Sequence, residues 1–525
     1  MELYNIKDLE LFHEKMDEIE DKLIEKEKKF VHEPIYEERK QIEKIILDYI
    51  KQYKRKIYGG YAQNKLISLK NPKDAFYDPT SINDLDFYSP EPIEDLIRLS
   101  NILHEKGFKY VQASEAVHKE TYSLFVNFYN SCDISYVHKN IFYRIPFIEI
   151  EGVNYVHPSF IYIDLLRIFT DPLISGAYRW RKTFPRFYLL QKYYPFNKAT
   201  LPLPNINIIP EDYKKTIENI FKMLFIFFKN NQSIILFGIY VYNCFLFESG
   251  IINDKQYRQK YSFINIPYYE IISTDYNNDA LKIIDLIKQT FKDIEDSISI
   301  TEYYPFWMFT GYSATINYKN YPFIYIYHYN RRCVPIKKIN PISFNEDEII
   351  KDQNSKVQIS SFDLTLLMNM IITFKHRVNK DDKQYQFYNI MTSHLIEMRN
   401  YYLKKNNKNI FDGTIFQEFI IDCVGDPLDP IRETRILRYL KARSGKGPIV
   451  FKYDPNIKHK EPVSNFEFAN TSGNPIRNPH NFKIIKLDPE ILKQRSREGE
   501  IADVNEQIVE EPEEIKTSDS FESNE

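Results

Sequence analysis

The sequence predicts an α+β chain: two tandem copies of one unit, each a mixed sheet with flanking helices, the second copy degenerate, followed by a disordered acidic tail. Three observations carry this. Segments with helical periodicity alternate with short runs of period two; a pattern from the first part of the chain recurs in the middle; and the end of the chain is strongly acidic. At 525 residues the chain also exceeds what one hydrophobic core usually serves.

Taken in order, residues 6–29 and 37–56 read as charged helices, the second with Ile42, Ile45, Ile46 and Tyr49 spaced i, i+3, i+4, i+7. After Ile57-Tyr58-Gly59-Gly60 a helix is predicted over 61–69. Period two then takes over in residues 84–88, 110–113, 121–129 and 133–137. Pro158 opens a helix through Arg167, and a basic-aromatic helix is predicted over 176–194. Leu201-Pro202-Leu203-Pro204 with Pro210 reads as a linker. The division is then N-terminal helices 1–55, a first unit 56–200, linker 201–212, a second unit 213–460, an extension 461–495 and the tail 496–525.

The repeat supports that division. Lys40-Gln41-Ile42-Glu43 returns as Lys215-Thr216-Ile217-Glu218. The run Ile57-Tyr58-Gly59-Gly60, continuing to Ile67, matches Leu236-Phe237-Gly238-Ile239, continuing to Leu246, and residues 156–166 resemble 357–367.

Composition bounds the function. Hydrophobic residues at 43% and charged residues at 27% fit a globular chain. The formal net charge is −3, but residues 496–525 hold eleven acids against Arg497 and Lys516, a net of −9, so the remainder carries +6. Such a tail has too little to bury to fold, while a basic body suits a nucleic-acid partner. Cys132, Cys244, Cys333 and Cys423 lie far apart with no C-x-x-C pair, which suggests neither a disulfide framework nor a zinc site and fits a reducing cytosol. The most apolar stretch, 234–247, is too short to span a bilayer, so no membrane partner is expected.

The chemistry centres on Asn83-Asp84-Leu85-Asp86-Phe87-Tyr88. Carboxylates at i and i+2 of a strand share a face about 7 Å apart, while Leu85 and Phe87 turn to the core. Such a pair suits hard, oxygen-seeking Mg²⁺; alone, it is also what a solvated strand edge shows. Two features accompany it. The pair Gly59-Gly60 before a helix lets backbone amides approach a triphosphate, and Asp133 opens a later period-two run that can lie on a neighbouring strand.

A glycine pair, D-x-D and a lone third Asp, in that order, resemble the nucleotidyltransferase superfamily built on DNA polymerase β-like folds. More closely, GGYAQN (59–64), DLDFYSPEP (84–92), HKETYSLFVNF (118–128) running on to DIS (133–135), and YVHPSFIYIDLLR (155–167) followed by YRWRK (178–182) are similar to poly(A) polymerase catalytic subunits of giant viruses of the mimivirus type, distantly similar to the poxvirus enzyme. The resemblance implies two polymerase β-like units and template-independent transfer of AMP from ATP to RNA 3′ ends. Asp84, Asp86 and Asp133 would be the catalytic, metal-binding triad for two Mg²⁺ (or Mn²⁺) ions, and Gly59 and Gly60 the triphosphate-holding pair. It also implies host cytoplasm, at the viral factory, and packaging in the virion. The connection from Tyr61 to Asn83 is longer than in many members.

In the second copy Pro267-Tyr268-Tyr269-Glu270-Ile271-Ile272-Ser273 stands where Asn83 to Ser89 stood. Tyr268 replaces a carboxylate, Ile239 replaces Gly60, and residues 323–329 hold no third Asp, so this copy reads as inactive. Two basic clusters are candidate RNA or triphosphate contacts. One is the 176–194 helix, whose Lys182 and Arg186 are the nucleotide-binding candidates; the other spans 432–460. For the helix, an equal reading is an amphipathic one with aromatics in the core and charges in solvent. Ser444-Gly445-Lys446-Gly447 lacks the upstream glycine of a P-loop. His118, His138 and His157 are not at ligand spacing and read as structural. Another base preference, such as a uridylyltransferase, and a noncatalytic RNA-binding scaffold are the rival functions. The abundance of aromatics, with a body charge too modest to retain RNA by electrostatics, motivates a homodimer.

Overall fold

The computed structural model describes residues 5–27, 29–30, 35–77, 83–118, 120–173, 176–198, 200–204, 208–329, 332–344, 349–443 and 452–457. Ser444 to Gly447, Lys458, Lys460, the 461–495 extension and the acidic tail lie outside them. The first compact unit holds the described residues of 1–165, 178–196 and 428–469; the second holds those of 166–177 and 197–427.

In the first unit α1 (Ile6–Glu27) buries nothing, whereas α2 (Tyr36–Gln52) buries the stripe Ile42, Ile46, Tyr49 and Ile50. Then follow β1 (Lys56–Tyr58), α3 (Gly59–Lys70), β2 (Leu85–Ser89), α4 (Pro92–Glu105), β3 (Gln112–Glu115), β4 (Thr121–Val126), β5 (Tyr129–Tyr136), α5 (Lys139–Phe142), β6 (Phe147–Ile150), β7 (Val153–Val156), α6 (Pro158–Phe169) and α7 (Gly176–Tyr193). The seven strands form one mixed sheet in the order β3-β4-β5-β2-β1-β7-β6. β2 runs antiparallel to β1 and parallel to β5.

The second unit repeats this sheet and most of its flanking helices. Its elements are α8 (Glu211–Asn230), β8 (Ile234–Phe237), α9 (Gly238–Ser249), β9 (Tyr269–Ser273), α10 (Tyr276–Thr290), β10 (Ile298–Tyr303), β11 (Ser313–Tyr318), β12 (Tyr321–His328), β13 (Val334–Ile339), a small sheet of β14 (Ile342–Phe344) with β15 (Ile349–Lys351), β16 (Val357–Ser360), α11 (Phe362–Asn379), α12 (Asp382–Lys405) and β17 (Cys423–Val424). The order β10-β11-β12-β9-β8-β16-β13-β17 is that of the first sheet with one strand added at the edge. The pairing directions match as well: β8 with β9 antiparallel, β9 with β12 and β8 with β16 parallel.

A buried node closes the same loop in both copies. Ser89 Oγ donates to Asp95 Oδ2 at 2.5 Å and accepts from the Glu91 amide; Ser273 Oγ donates to Asp279 Oδ2 at 2.5 Å and accepts from the Asp275 amide. The two copies satisfy the buried carboxylate differently. Asp95 takes Arg55 Nε at 2.7 Å and the Tyr49 hydroxyl at 2.7 Å, a charge-compensated pair. Asp279 takes only neutral donors there, Asn231 and Ser233, and burial pushes its carboxyl above the usual range.

Four expectations are corrected. Residues 121–129 are not one strand: Asn127 and Phe128 both adopt positive φ, 50° and 66°, and Val126 pairs with Tyr129 across them. This two-residue turn is the type that suits a hairpin's twist, so β5 starts at Tyr129 and Asp133 sits inside it. The repeat register at 357 also shifts. Ile57 pairs with Tyr155 and its counterpart Leu236 with Ile359, so Val357 corresponds to Val153 and not Val156; both runs are apolar enough to hide a three-residue slip.

The stretch 428–460 does not all belong with the second unit. In the described part, α13 (Pro430–Arg443) and residues 452–457 pack on the first: Arg438 pairs with Glu115 at 3.0 Å, and Tyr453 donates its amide to Ala113 and its hydroxyl to Asn101. Finally, Cys333 and Cys423 form a disulfide, because β17 pairs with β13 and sets Cys423 opposite Pro335. Cys132 and Cys244 are buried free thiols. Among the described residues no helix is long and apolar enough to cross a membrane.

Candidate active site

β1 ends at Tyr58, and the chain turns directly into α3. That turn requires Gly59, at φ +68°, where an added Cβ would lie 2.5 Å from Asp86 Oδ2. The glycine thus serves two ends: a left-handed backbone that other residues adopt at a cost, and close approach of the helix N-terminus to a carboxylate. At Gly60 a Cβ would collide with the Tyr77 hydroxyl and come within 3.1 Å of Arg186 Nη1.

Sheet register assembles the carboxylates. Asp86 is the Cα partner of Tyr58 on one side and of Asp133 on the other, and Asp84 immediately precedes β2. Asp133 Oδ1 accepts from Ser123 Oγ at 2.6 Å and from Asn130 Nδ2 at 3.2 Å. Tyr58 lies stacked on Tyr88, ring centroids 3.9 Å apart, with its hydroxyl 2.8 Å from Ser135 Oγ.

Burial, then repulsion from Asp133 and Asp84, pushes the Asp86 carboxyl up to about 8, with Lys182 acting in the opposite direction. An aggregate of like charges at one end of a sheet is costly unless a cation answers it. Among the described residues no three His, Cys, Asp and Glu side chains enclose an ion by themselves. The donor set is nonetheless what Mg²⁺ takes, one or two carboxylates with the remaining positions left to water and substrate phosphates.

The loop after α3 is drawn back onto the site. Asn64 Oδ1 accepts from the amides of Phe76 and Tyr77, at 2.8 and 3.1 Å, so the longer connection folds over Gly60 rather than away from it. The Arg186 guanidinium lies 4.2 Å from the Phe76 ring centroid and 5.4 Å from that of Tyr77. Lys182 and Arg186, one turn apart on α7, therefore both act on this end of the unit. The rest of α7 divides between the two readings of it: Thr183 and Leu190 are buried, Tyr178 and Tyr188 are exposed, and Lys192 is engaged by Asp74 at 2.7 Å. In the second cluster Arg438 is likewise spent on structure.

Ser123, Asn130 and Tyr77 are site residues that sequence reasoning missed. Nothing in their spacing marks them: Ser123 arrives as the strand partner of Asp133, Tyr77 through a folded-back loop, and Asn130 through the register shift that skips Ser131 within β5. The structural reading of His138 and His157 stands on contacts: His138 Nδ1 accepts from the Asn140 amide, and His157 Nδ1 from that of Ser159.

In the second copy Glu270 is the partner of Phe237 and of Tyr325, so Tyr325 stands where Asp133 stands in the first. Gly238 keeps the left-handed turn, at φ +65°. Glu270 accepts from the Ile239 amide at 3.2 Å and from the Tyr388 hydroxyl at 3.1 Å, and Tyr388 meets the Tyr268 hydroxyl at 3.1 Å. One carboxylate and three tyrosines gather where the first unit has three carboxylates.

The chain as a whole is similar to known proteins. Residues 44–175 match the family model described as "Poly(A) polymerase catalytic subunit", and residues 190–486 match "APMV, Putative poly(A) polymerase, catalytic subunit, C-terminal". The chain is 35% identical over 479 residues to the "Putative poly(A) polymerase catalytic subunit" of Acanthamoeba polyphaga mimivirus, covering 87% of this chain and 80% of that protein. It is 31% identical over 156 residues to the protein of the same description from African swine fever virus (strain Badajoz 1971 Vero-adapted), covering 29% of this chain and 32% of that one. The crystal structure of the Megavirus polyadenylate synthase superposes with a TM-score of 0.79 at 33% identity, covering 93% of this chain and 97% of that one. By its sequence, its fold and both of its units, the chain belongs to the family of viral poly(A) polymerase catalytic subunits.

Proposed function

We propose that this chain extends RNA 3′ ends with adenylate from ATP at one site, the Asp84, Asp86 and Asp133 cluster of the first unit. The observation that carries the assignment is the strand register that sets Asp86 opposite Asp133 and beside the α3 N-terminus. Asp84, Asp86 and Asp133 would hold two divalent cations, Mg²⁺ or Mn²⁺, which when bound supply charge neutralisation at the triphosphate and acidify the primer 3′-hydroxyl.

The chain's own residues do the rest. The α3 amides after Gly59, with Lys182 and Arg186, orient the triphosphate for in-line attack on its α-phosphorus. Asp133, fixed by Ser123 and Asn130, is placed to accept the hydroxyl proton. Pyrophosphate leaves toward the Arg186 side, where the guanidinium answers its charge.

The test is primer extension with each of the four nucleoside triphosphates offered singly. Extension with ATP, lost by several orders of magnitude in Asp84→Ala, Asp86→Ala and Asp133→Ala folded like the native chain, is the expected result. Preferred use of UTP would make it a uridylyltransferase, and near-native extension by any of the three variants would reject the site.

A further inference from the structure

The tip of the β4–β5 hairpin and the loop before β3 each carry an aromatic side chain that neither the core nor the carboxylate site uses. Tyr110 and Phe128 are 59% and 66% exposed, yet their rings stack on each other with centroids 4.9 Å apart and planes 30° apart. Both sit on left-handed backbone, Tyr110 at φ 52° and Phe128 at φ 66°, as does Asn127 at φ 50°. In a two-residue hairpin turn the second position strongly prefers glycine; a phenylalanine there accepts conformational strain and gains no burial. Backbone strain of this kind, held by its surroundings, clusters at functional sites. The Asn127 amide donates to the Lys109 carbonyl at 3.1 Å, tying the two loops together.

The position of the pair indicates its partner. β1 ends, and β2 and β5 begin, at the same end of the sheet, which is the carboxylate end. The hairpin tip and the loop before β3 lie at that end too, because β4 is antiparallel to β5 and β3. Phe128 precedes Asp133 by five residues of extended chain, about 16 Å at 3.3 Å per residue. Lys106 and Lys109 are exposed in the loop that carries Tyr110, and Arg39 lies over the neighbouring Tyr129 ring at 5.2 Å.

We propose that Tyr110 and Phe128 form a stacking platform for the RNA primer, engaging a base a few nucleotides upstream of the 3′-hydroxyl. The proposal rests on the site assignment above. Exposed aromatic faces bind single strands by stacking on whichever base is presented, and the nearby cations answer the phosphates. The platform fixes how far back from its end the primer is gripped; it takes no part in bond making.

The test uses the full chain with Tyr110→Asn and Phe128→Asn together, since asparagine tolerates left-handed backbone and removes the rings. The KM for a short oligoadenylate primer is expected to rise about 5- to 150-fold, with KM for ATP and kcat unchanged, and with no change for a dinucleotide primer too short to reach. Tyr110→Phe with Phe128→Tyr should restore native behaviour. An unchanged KM for the longer primer, or an equal rise for the dinucleotide, overturns the proposal. Equilibrium binding of a 2-aminopurine-labelled oligoadenylate without ATP separates the two readings. The platform requires weaker binding in the double Asn variant whether or not Asp133→Ala proves inactive.

Discussion

The Glu270 carboxylate accepts a hydrogen bond from the Ile239 amide at 3.2 Å, at the N-terminus of α9. In the first unit the corresponding amide belongs to Gly60, on the helix assigned to the triphosphate. The glutamate side chain, one methylene longer than aspartate, takes that amide itself, so the second copy supplies its own carboxyl oxygen where the first would offer the amide to substrate. Tyr268, Tyr325 and Tyr388 close over it. The second unit thus retains the sheet and the glycine turn of the first and lacks its carboxylate cluster.

That plug has a pH signature. Burial pushes the Glu270 carboxyl up to about 7, opposed by its bonds from Ile239 and Tyr388. A raised folded value means folding favours the protonated acid. Its contribution is therefore full below about pH 4.5, declines as pH rises, and is gone above about 7, a change on the order of 3 kcal/mol. Melting temperatures measured from pH 5 to 8 should fall more steeply for the native chain than for Glu270→Gln, which should extend RNA nearly normally. Parallel melting profiles would contradict the assignment.

The two glycines at the helix turns separate folding from chemistry. Gly59→Ala meets both left-handed backbone and the Asp86 carboxylate, so it should cost about 1–2 kcal/mol and abolish extension. Gly238→Ala meets the same backbone and collides with Glu270. It should lower the melting temperature at least as much, while folded molecules keep their turnover. Loss of turnover per folded molecule in Gly238→Ala would show that the second copy takes part in the reaction.

Lys182→Ala with Arg186→Ala should weaken RNA or ATP binding most at low salt. Each phosphate contact contributes about 0.7 to the log–log salt slope for a single strand, so losing two should make the slope shallower by about 1.4. The difference from the native chain then shrinks as salt rises. An unchanged slope would assign this face of α7 to solvent.

Much of the site was legible because its chemistry is local in sequence. Asp84 and Asp86 flank Leu85, a residue that must be buried, and period two alone puts them on one face. Gly59 is legible because no other residue takes the turn into α3 so cheaply. The repeat was legible in the glycine turn but not in its register at 357, where both strands are buried at every position and so no alternation marks the three-residue slip. The hairpin at Asn127-Phe128 was invisible because a phenylalanine occupies a position where glycine is the usual signal.

By itself, then, the sequence determined the alternation of helices and strands, the duplication, the carboxylate pair with its glycine turn, and the loss of that pair in the second copy, because each depends on residues close along the chain. Tertiary structure alone decided that Asp133 lies opposite Asp86, that Tyr77 and Arg186 close over Gly60, that Cys333 meets Cys423, and that α13 returns to the first unit. These depend on strand register and loop closure between residues far apart in sequence, and that information resides in packing and in the satisfaction of backbone hydrogen bonds rather than in any local pattern.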